Sequence, residues 1–484
     1  MSLHTPFFPA LVGLTGGRRG GLSNVQREWD AGQWQSLYEL LFPASRLRRS
    51  GERQRLFPTS TAFYSLLHQG LHPDSAVREA LQFIQADCYE RRASMPGAGT
   101  GGLCQAQRRV PLSLLDAQHR RTVERLDATM EPVVGFGARH IKLIDGTGLS
   151  CDDTAANRHY FPPAVQCRKG CGFPLMQLVG LFSLNHGGLL KTAVTEMPES
   201  EIVVFNAEIA SALEPGDILV GDTAYYAFWN VHELRQRQVD AVLAMPADAA
   251  RGARTVAYHG CAQDRLVELH LPNRHRKHLT KLFVASLPKR QFLRVIETRR
   301  LDEQGRPKAL FIATTLTDPQ RYLTEKILEL YFRRWQVEVN FRDLKRTLNF
   351  RHVRARSPEM VERRLRAAWI AYNVVRIVML EAAKGHLVAL ESVSFKGALK
   401  GIKAYAPLIH RHRRCRSRAR AAFHQMLEGI ARDKVPRRPK RTEPRRVKLR
   451  DRNYLYLTRP RHIEKTIIEH QKARMKQQTK NTLN

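Results

Sequence analysis

Acidic residues are scarce in this 484-residue chain: 45 Asp and Glu stand against 80 Lys and Arg, a formal charge of +35. A compact protein with that surplus repels itself unless something anionic screens it. Nucleic acid is therefore the first expected partner and a membrane surface the competing one. Cysteine is scarce too: seven residues, odd in number and without repeated spacing, argue against a disulfide framework and for a reducing compartment. A membrane span needs about 20 nearly uncharged residues. The most apolar helix-like stretch, Ala367 to Leu380, is interrupted by Arg376. A secretory signal is not expected, because Arg18 and Arg19 follow the apolar Pro6 to Leu14 segment instead of preceding it. The expectation is a cytoplasmic protein. Enough apolar residues are present, at 43%, to exclude wholesale disorder, and the length suggests two to four compact units.

The positive charge is unevenly spread. Residues 401–484 hold 25 Lys or Arg against 6 Asp or Glu, and residues 251–310 hold 14 against 5. Both stretches suit contact with phosphate; a solvated basic face is the alternative.

Along the chain, Val77, Leu81, Ile84 and Cys88 recur at helical steps, MPGAGTGG (Met95 to Gly102) breaks the pattern, and a second helix is predicted from Pro111 to Leu126. At Val133 the character changes. HIKLID (His140 to Asp145) and DILVGD (Asp217 to Asp222) are short apolar runs ending in a carboxylate. Between them, Leu175 to Met197 reads as a hairpin around NHGG, followed by a helical Ser200 to Leu213. With a helix from Phe228 to Gln238, the order is mixed α/β. Met245 to Leu310 alternates as strands do, Leu323 to Asn349 returns to helix, and Glu362 to Lys384 is a further helix with an apolar face.

Asp145 and Asp222 stand where apolar strands end, the place where open α/β sheets carry ligand sites; taken singly, each also suits a turn or a helix cap. On a continuous helix from Tyr331 to Lys345, the residues Tyr331, Arg334, Glu338 and Lys345 fall within a sector of about 60°. That stripe is either a site or an exposed face with ordinary ion pairing such as Arg334 with Glu338. Three carboxylates among basic residues suit hard divalent cations, and two Mg²⁺ ions so held would act on both sides of a phosphodiester. His159 with Cys167 and Cys171 would supply three zinc ligands, with no obvious fourth.

The spacing Tyr331-x2-Arg334-x3-Glu338-x6-Lys345 resembles the signature of the DDE transposases of bacterial insertion sequences, in particular insertion-sequence family four. IDGTGLSCDDTAANRHYFP (Ile144 to Pro162) is similar to the family's first-aspartate region and LVGDTAYYAFWNVHEL (Leu219 to Leu234) to its second. The likeness runs from about Gly101 to about Pro407. It implies that Asp145, Asp222 and Glu338 are the catalytic and metal-binding triad, with two Mg²⁺ ions or Mn²⁺ in their place. Tyr331, Arg334 and Lys345 would bind DNA.

The resemblance also implies a multidomain α/β protein. A helical N-terminal DNA-binding domain would span 1–130, with an RNase H-like mixed-sheet core in two parts, 131–245 and 311–385. A β-rich insertion would occupy 246–310, and a basic C-terminal region 386–484. The activity implied is cleavage at transposon ends through a hairpin intermediate, then strand transfer. Its substrates would be double-stranded terminal inverted repeats and target DNA, handled by a homodimer with no membrane involved. Relatives stack a flipped base on an insertion tryptophan, but no Trp occurs between Met245 and Leu316, leaving Phe283 and Phe292 as candidates. Asp152 and Asp153 are expected to stay outside the metal site. Two further readings remain: a catalytically silent DNA-binding former transposase, and an RNase H-like nuclease that never joins strands.

Overall fold

A computed structural model describes Phe42, Leu47, Val133 and residues 56–72, 76–91, 95–128, 135–163, 170–196, 200–272, 279–301, 306–412, 415–436 and 459–482. Among the described residues, helices α1 (Thr59–Leu71), α2 (Val77–Arg91), α3 (Gly101–Arg109) and α4 (Leu112–Asp127) come first. The predicted helices correspond to α2 and α4. The glycine-rich break ends where α3 begins, because Gly101 and Gly102 occupy its first turn, where glycine obscures the helical signal.

After α4 the chain builds one mixed sheet. Its first half comprises β1 (Ile141–Cys151), β2 (Leu175–Ser183), β3 (Leu189–Glu196), β4 (Ile218–Gly221) and β5 (Asp240–Met245). Helix α5 (Ala155–Tyr160) precedes β2, the short α6 (Glu201–Val204) follows β3, and α7 (Phe228–Gln236) separates β4 from β5. The second half, after α8 (Ala247–Gly252), comprises β6 (Arg254–His259), β7 (Cys261–His270), β8 (Arg290–Leu301) and β9 (Pro307–Thr314), with α9 (Lys281–Ser286) before β8. The spatial order is β3-β2-β1-β4-β5-β9-β8-β7-β6. β1, β4 and β5 are mutually parallel neighbours, whereas β2, β3 and the strands from β6 to β9 pair antiparallel. The strand-rich segment therefore extends the same sheet through the β5–β9 pairing.

Helices α10 (Thr324–Phe332) and α11 (Trp335–Arg342) lead to the short β10 (His352–Val353), which pairs parallel with the end of β1. Then come α12 (Pro358–Gly385), α13 (Phe395–Arg411), α14 (Arg416–Arg432) and α15 (Arg461–Thr482). Two cores follow from the two-residue strand period. Ile141, Leu143 and Phe182 face one side with α1, α4, α11 and α12, while Ile144, Val179 and Leu181 face the other with Val204, Phe205 and Val231. From Ala367 to Ala383 every residue of α12 is buried, which is why its pattern is apolar all round without any membrane span. Among the described residues no helix is long and apolar enough to cross a membrane. Gly180 on β2 lets Phe341 of α11 approach closely, since a Cβ there would stand 3.1 Å from the Phe341 ring.

Candidate active site

β1 is not the short strand expected. It continues past Asp145 to Cys151, so that residue lies in mid-strand. The parallel pairing with β4 covers only Ile141–Leu143 against Ile218–Val220, however, and beyond it the two strands part. Asp145 follows the end of that paired stretch, and Asp222 follows β4 directly. The opening between parallel strands at their carboxyl ends is thus flanked by both aspartates, as open α/β sheets favour. Asp222 also caps a turn, Thr223–Tyr225, by accepting a hydrogen bond of 2.8 Å from the Ala224 N–H.

The predicted continuous helix from Leu323 to Asn349 is interrupted. Around Arg333 and Arg334 the backbone tightens, with Arg334 N–H bonding to Tyr331 O, Gln336 N–H to Arg333 O and Val337 N–H to Arg334 O. Such three-residue steps turn by about 120° per residue, and a π turn at Asp343–Thr347 then opens the helix again. A single helical wheel therefore misplaces the later residues. Arg334 nevertheless reaches two of the expected partners: Asp145 at 3.5 Å and Glu338 at 3.3 Å. Lys345, on the π turn, donates to Thr147 Oγ1 at 2.9 Å, two residues beyond Asp145 on the same face of β1. Tyr331 is 6% exposed and sits within the core beside this helix pair.

Electrostatics draw the group together. Burial pushes the Asp145 carboxyl up to about 7; the Gly146 N–H opposes this, Asp222 and Glu201 add to it, and Arg334 opposes it. Burial works against the charge of Arg334, but Tyr331, Asp145, Asp222 and Glu338 more than offset it and raise its pKa. Lys345 is lowered by burial, then by Arg351 and Arg346. One guanidinium thus contacts two carboxylates, Asp145 and Glu338, and feels the charge of a third, Asp222.

Other expected residues are engaged elsewhere. Asp152 Oδ1 lies 3.2 Å from His352 Nε2, and Asp153 is paired with Arg158. Phe292 is partly exposed on β8, whereas Phe283 packs edge-on against Trp229. Of the zinc alternative, Cys167 lies outside the described residues. Glu201 and Thr147 lie at the site without any sequence signal having marked them; no local motif distinguishes either.

Divalent metal ions belong to the chemistry of DDE domains. The donors here fit one in kind, being carboxylate oxygens of the sort hard cations take, with Asp145 short of compensating charge. Among the described residues no three His, Cys, Asp or Glu side chains already stand as a ligand cage; between Asp145 and Glu338 the Arg334 guanidinium is interposed.

Residues 137–374 match the family model described as "Transposase DDE domain". All three acidic residues fall inside that span. The chain is 26% identical over 247 residues to "Transposase InsG for insertion sequence element IS4" of Escherichia coli (strain K12), which covers 50% of this chain and 52% of the relative. It thus spans about half the length of the curated relative it matches. A looser likeness links it to the cryo-EM structure of piggyBac transposase in a synaptic complex with hairpin DNA. The TM-score there is 0.38 at 9% identity, covering 89% of this chain and 86% of that one, too low to establish a shared fold. Residues 137–374, which enclose Asp145, Asp222 and Glu338, thus match a transposase DDE domain, and the chain is similar to an insertion-sequence transposase.

Proposed function

We propose that the protein is a DNA transposase that cleaves phosphodiesters at the ends of its element and joins the freed 3′-hydroxyl to target DNA. The observation that carries this reading is the placement of Asp145 and Asp222 beside the opening between β1 and β4, with Arg334 spanning from Asp145 to Glu338. The strand order β3-β2-β1-β4-β5, with only β2 running opposite to the other four, supports an RNase H-like core. In this reading residues 131–245 and 311–385 form that core, 1–130 and 386–484 hold DNA, and 246–310 guide the element end.

Asp145, Asp222 and Glu338 would hold two Mg²⁺ ions, or Mn²⁺ in their place. When bound, such ions activate the attacking oxygen and stabilise the leaving one. Arg334 presents a planar fork suited to a phosphate, and Lys345 a point charge beside it. Tyr331, buried beside this helix pair, would act on the DNA through Arg334, whose charge it favours. No protein nucleophile is needed, since water opens the first bond and the DNA 3′-hydroxyl makes the second. A substrate with two ends implies a homodimer in the DNA complex.

Replacing Glu338 by Gln tests the reading. DNA carrying the element end should still bind while Mg²⁺-dependent cleavage disappears; unchanged cleavage would remove Glu338 from the mechanism. Pre-cleaved ends mixed with target DNA separate the remaining alternatives. Joined product marks a transposase and its absence a nuclease, whereas a silent DNA-binding relic would cut nothing in either assay.

A further inference from the structure

We propose that Glu201 is a positioning residue for the two aspartates, clamping β1 at Gly146 to the turn that carries Asp222. The inference rests on the metal-dependent cleavage proposed above and deepens it.

Glu201 opens α6, and Val204 at its end and Phe205 just after it pack into the core on the side of the sheet away from α11. Its carboxylate lies directly against the backbone of Gly146, the neighbour of Asp145. A Cβ at position 146 would overlap the Glu201 carboxylate at 2.1 Å, so any residue larger than glycine displaces it. Gly146 has no positive φ, which makes the space, and not the backbone conformation, the reason for glycine there.

Both carboxylate oxygens are committed. Oε1 accepts from Gln177 Nε2 of β2 at 2.9 Å, and Oε2 accepts from the Tyr225 hydroxyl at 3.0 Å. Tyr225 is fully buried, packs edge-on against Phe205 at 5.8 Å, and ends the very turn that Asp222 caps. One side chain therefore joins three pieces of backbone: β2, β1 beside Asp145, and the turn after β4.

The clamp stands where the sheet supplies none. Ladder bonds between β1 and β4 stop at Leu143 and Val220, so no backbone pairing fixes the separation of Asp145 from Asp222. Two ligands that must converge on shared ions need that separation held to within a fraction of an ångström, and residues behind the ligands usually hold it. A purely structural carboxylate would more economically be an apolar side chain, because burying charge beside Asp145 and Asp222 is costly.

The test uses the full-length protein without DNA and reads Mn²⁺ affinity by electron paramagnetic resonance, alongside thermal melting and Mg²⁺-dependent cleavage of an element end. Glu201→Ala and Tyr225→Phe each cut a tie and should weaken Mn²⁺ binding about 10-fold, the usual effect of losing a group behind a metal ligand. Glu201→Gln keeps hydrogen-bonding partners for both Gln177 and Tyr225 and should restore most of that loss. Tyr225→Phe removes one hydroxyl only, so it reports even if Glu201→Ala fails to fold. Mn²⁺ affinity unchanged in Tyr225→Phe overturns the clamp, as does a Gln variant as weak as Ala, which would make the charge alone responsible. If the parent binds Mn²⁺ and the variants weaken it but no cleavage occurs, the clamp stands and the transposase reading falls. Normal cleavage with unaltered variants gives the reverse.

Discussion

Two arginines of this protein face carboxylates in opposite ways. Arg294 on β8 and Asp264 on β7 are both 0% exposed, and their contacts are 2.8 and 2.5 Å. The same guanidinium donates to Tyr322 O at 2.6 Å and to Thr324 Oγ1 at 3.0 Å, tying β7 and β8 to the start of α10. Arg334, at the far end of α10, is 17% exposed and meets Asp145 at 3.5 Å and Glu338, 39% exposed, at 3.3 Å. The first arrangement is closed, matched one charge to one and fully hydrogen-bonded. The second is open, longer and outnumbered by anions. Closure holds a fold together; the open, unbalanced arrangement is what a site needs if cations and phosphates are to enter it.

The comparison breaks most visibly at Asp264. Asp264→Asn leaves the Arg294 charge buried and unmatched, a change expected to cost about 3–5 kcal/mol. Chemical denaturation should register it as a large drop in midpoint, and the double change Asp264→Leu with Arg294→Met should recover most of it. Arg334→Gln should do the converse. Its contacts, at 3.5 and 3.3 Å, are too long to stabilise the fold much, so melting should barely move while single-turnover cleavage falls about 100-fold. Arg334→Lys should lie between, since it keeps the charge and loses the fork. A large melting shift for Arg334→Gln, or a small one for Asp264→Asn, would abolish the distinction.

Little of this contrast was legible in the sequence. Asp145, Asp222 and Glu338 stood out because each sits in a short local pattern: an apolar run ending in acid, or a spaced helical signature. The hairpin of β2 and β3 was legible for the same reason, its turn residues flanked by apolar runs. Long-range relations left no such mark. Asp264 and Arg294 are thirty residues apart in two strands whose pairing decides everything, and Glu201 meets Gly146 and Tyr225 only after the sheet has formed. The helix through Tyr331 to Lys345 was recognised in extent but not in its tightened turn at Arg334, because helical periodicity carries no trace of where a side chain must reach out of register.

A third, singly buried carboxylate sharpens the comparison through pH. Glu381 on α12 is buried, its Oε2 has no hydrogen-bond partner among the described residues, and burial pushes its pKa up to about 8, with Arg125 and Lys384 opposing. In the unfolded chain the same group ionises near 4.5, its ordinary value. Between those values the unfolded state releases a proton that the folded state keeps, so stability falls as pH rises through this window. Glu381→Gln removes the dependence. Its melting temperature should match the parent's near pH 4 and exceed it by roughly 2–5 °C at pH 8. Parallel melting curves at both pH values would show that Glu381 stays ionised in the fold.

The smallest effect on the fold is expected at the C-terminal end, where positive charge is most concentrated in the sequence. Asp433 O accepts from the Ser394 N–H at 3.0 Å, and Val435 N–H bonds to Ser392 O at 2.7 Å, so the chain as far as residue 436 is part of the packed body. Helix α15 beyond it is exposed along its described face, including Ile463 and Ile468. Cutting after residue 436 should therefore leave melting nearly unchanged, whereas a cut after 430 would also strip the bonds to Ser392 and Ser394. DNA affinity is where the loss should appear: each phosphate neutralised contributes about 0.9 to the slope of log affinity against log salt. The truncated protein should give a slope shallower by several such steps, measured on duplex DNA between low and physiological salt. An unaltered slope would mean that these charges, like the inner face of a closed pair, are spent within the protein and not on its substrate.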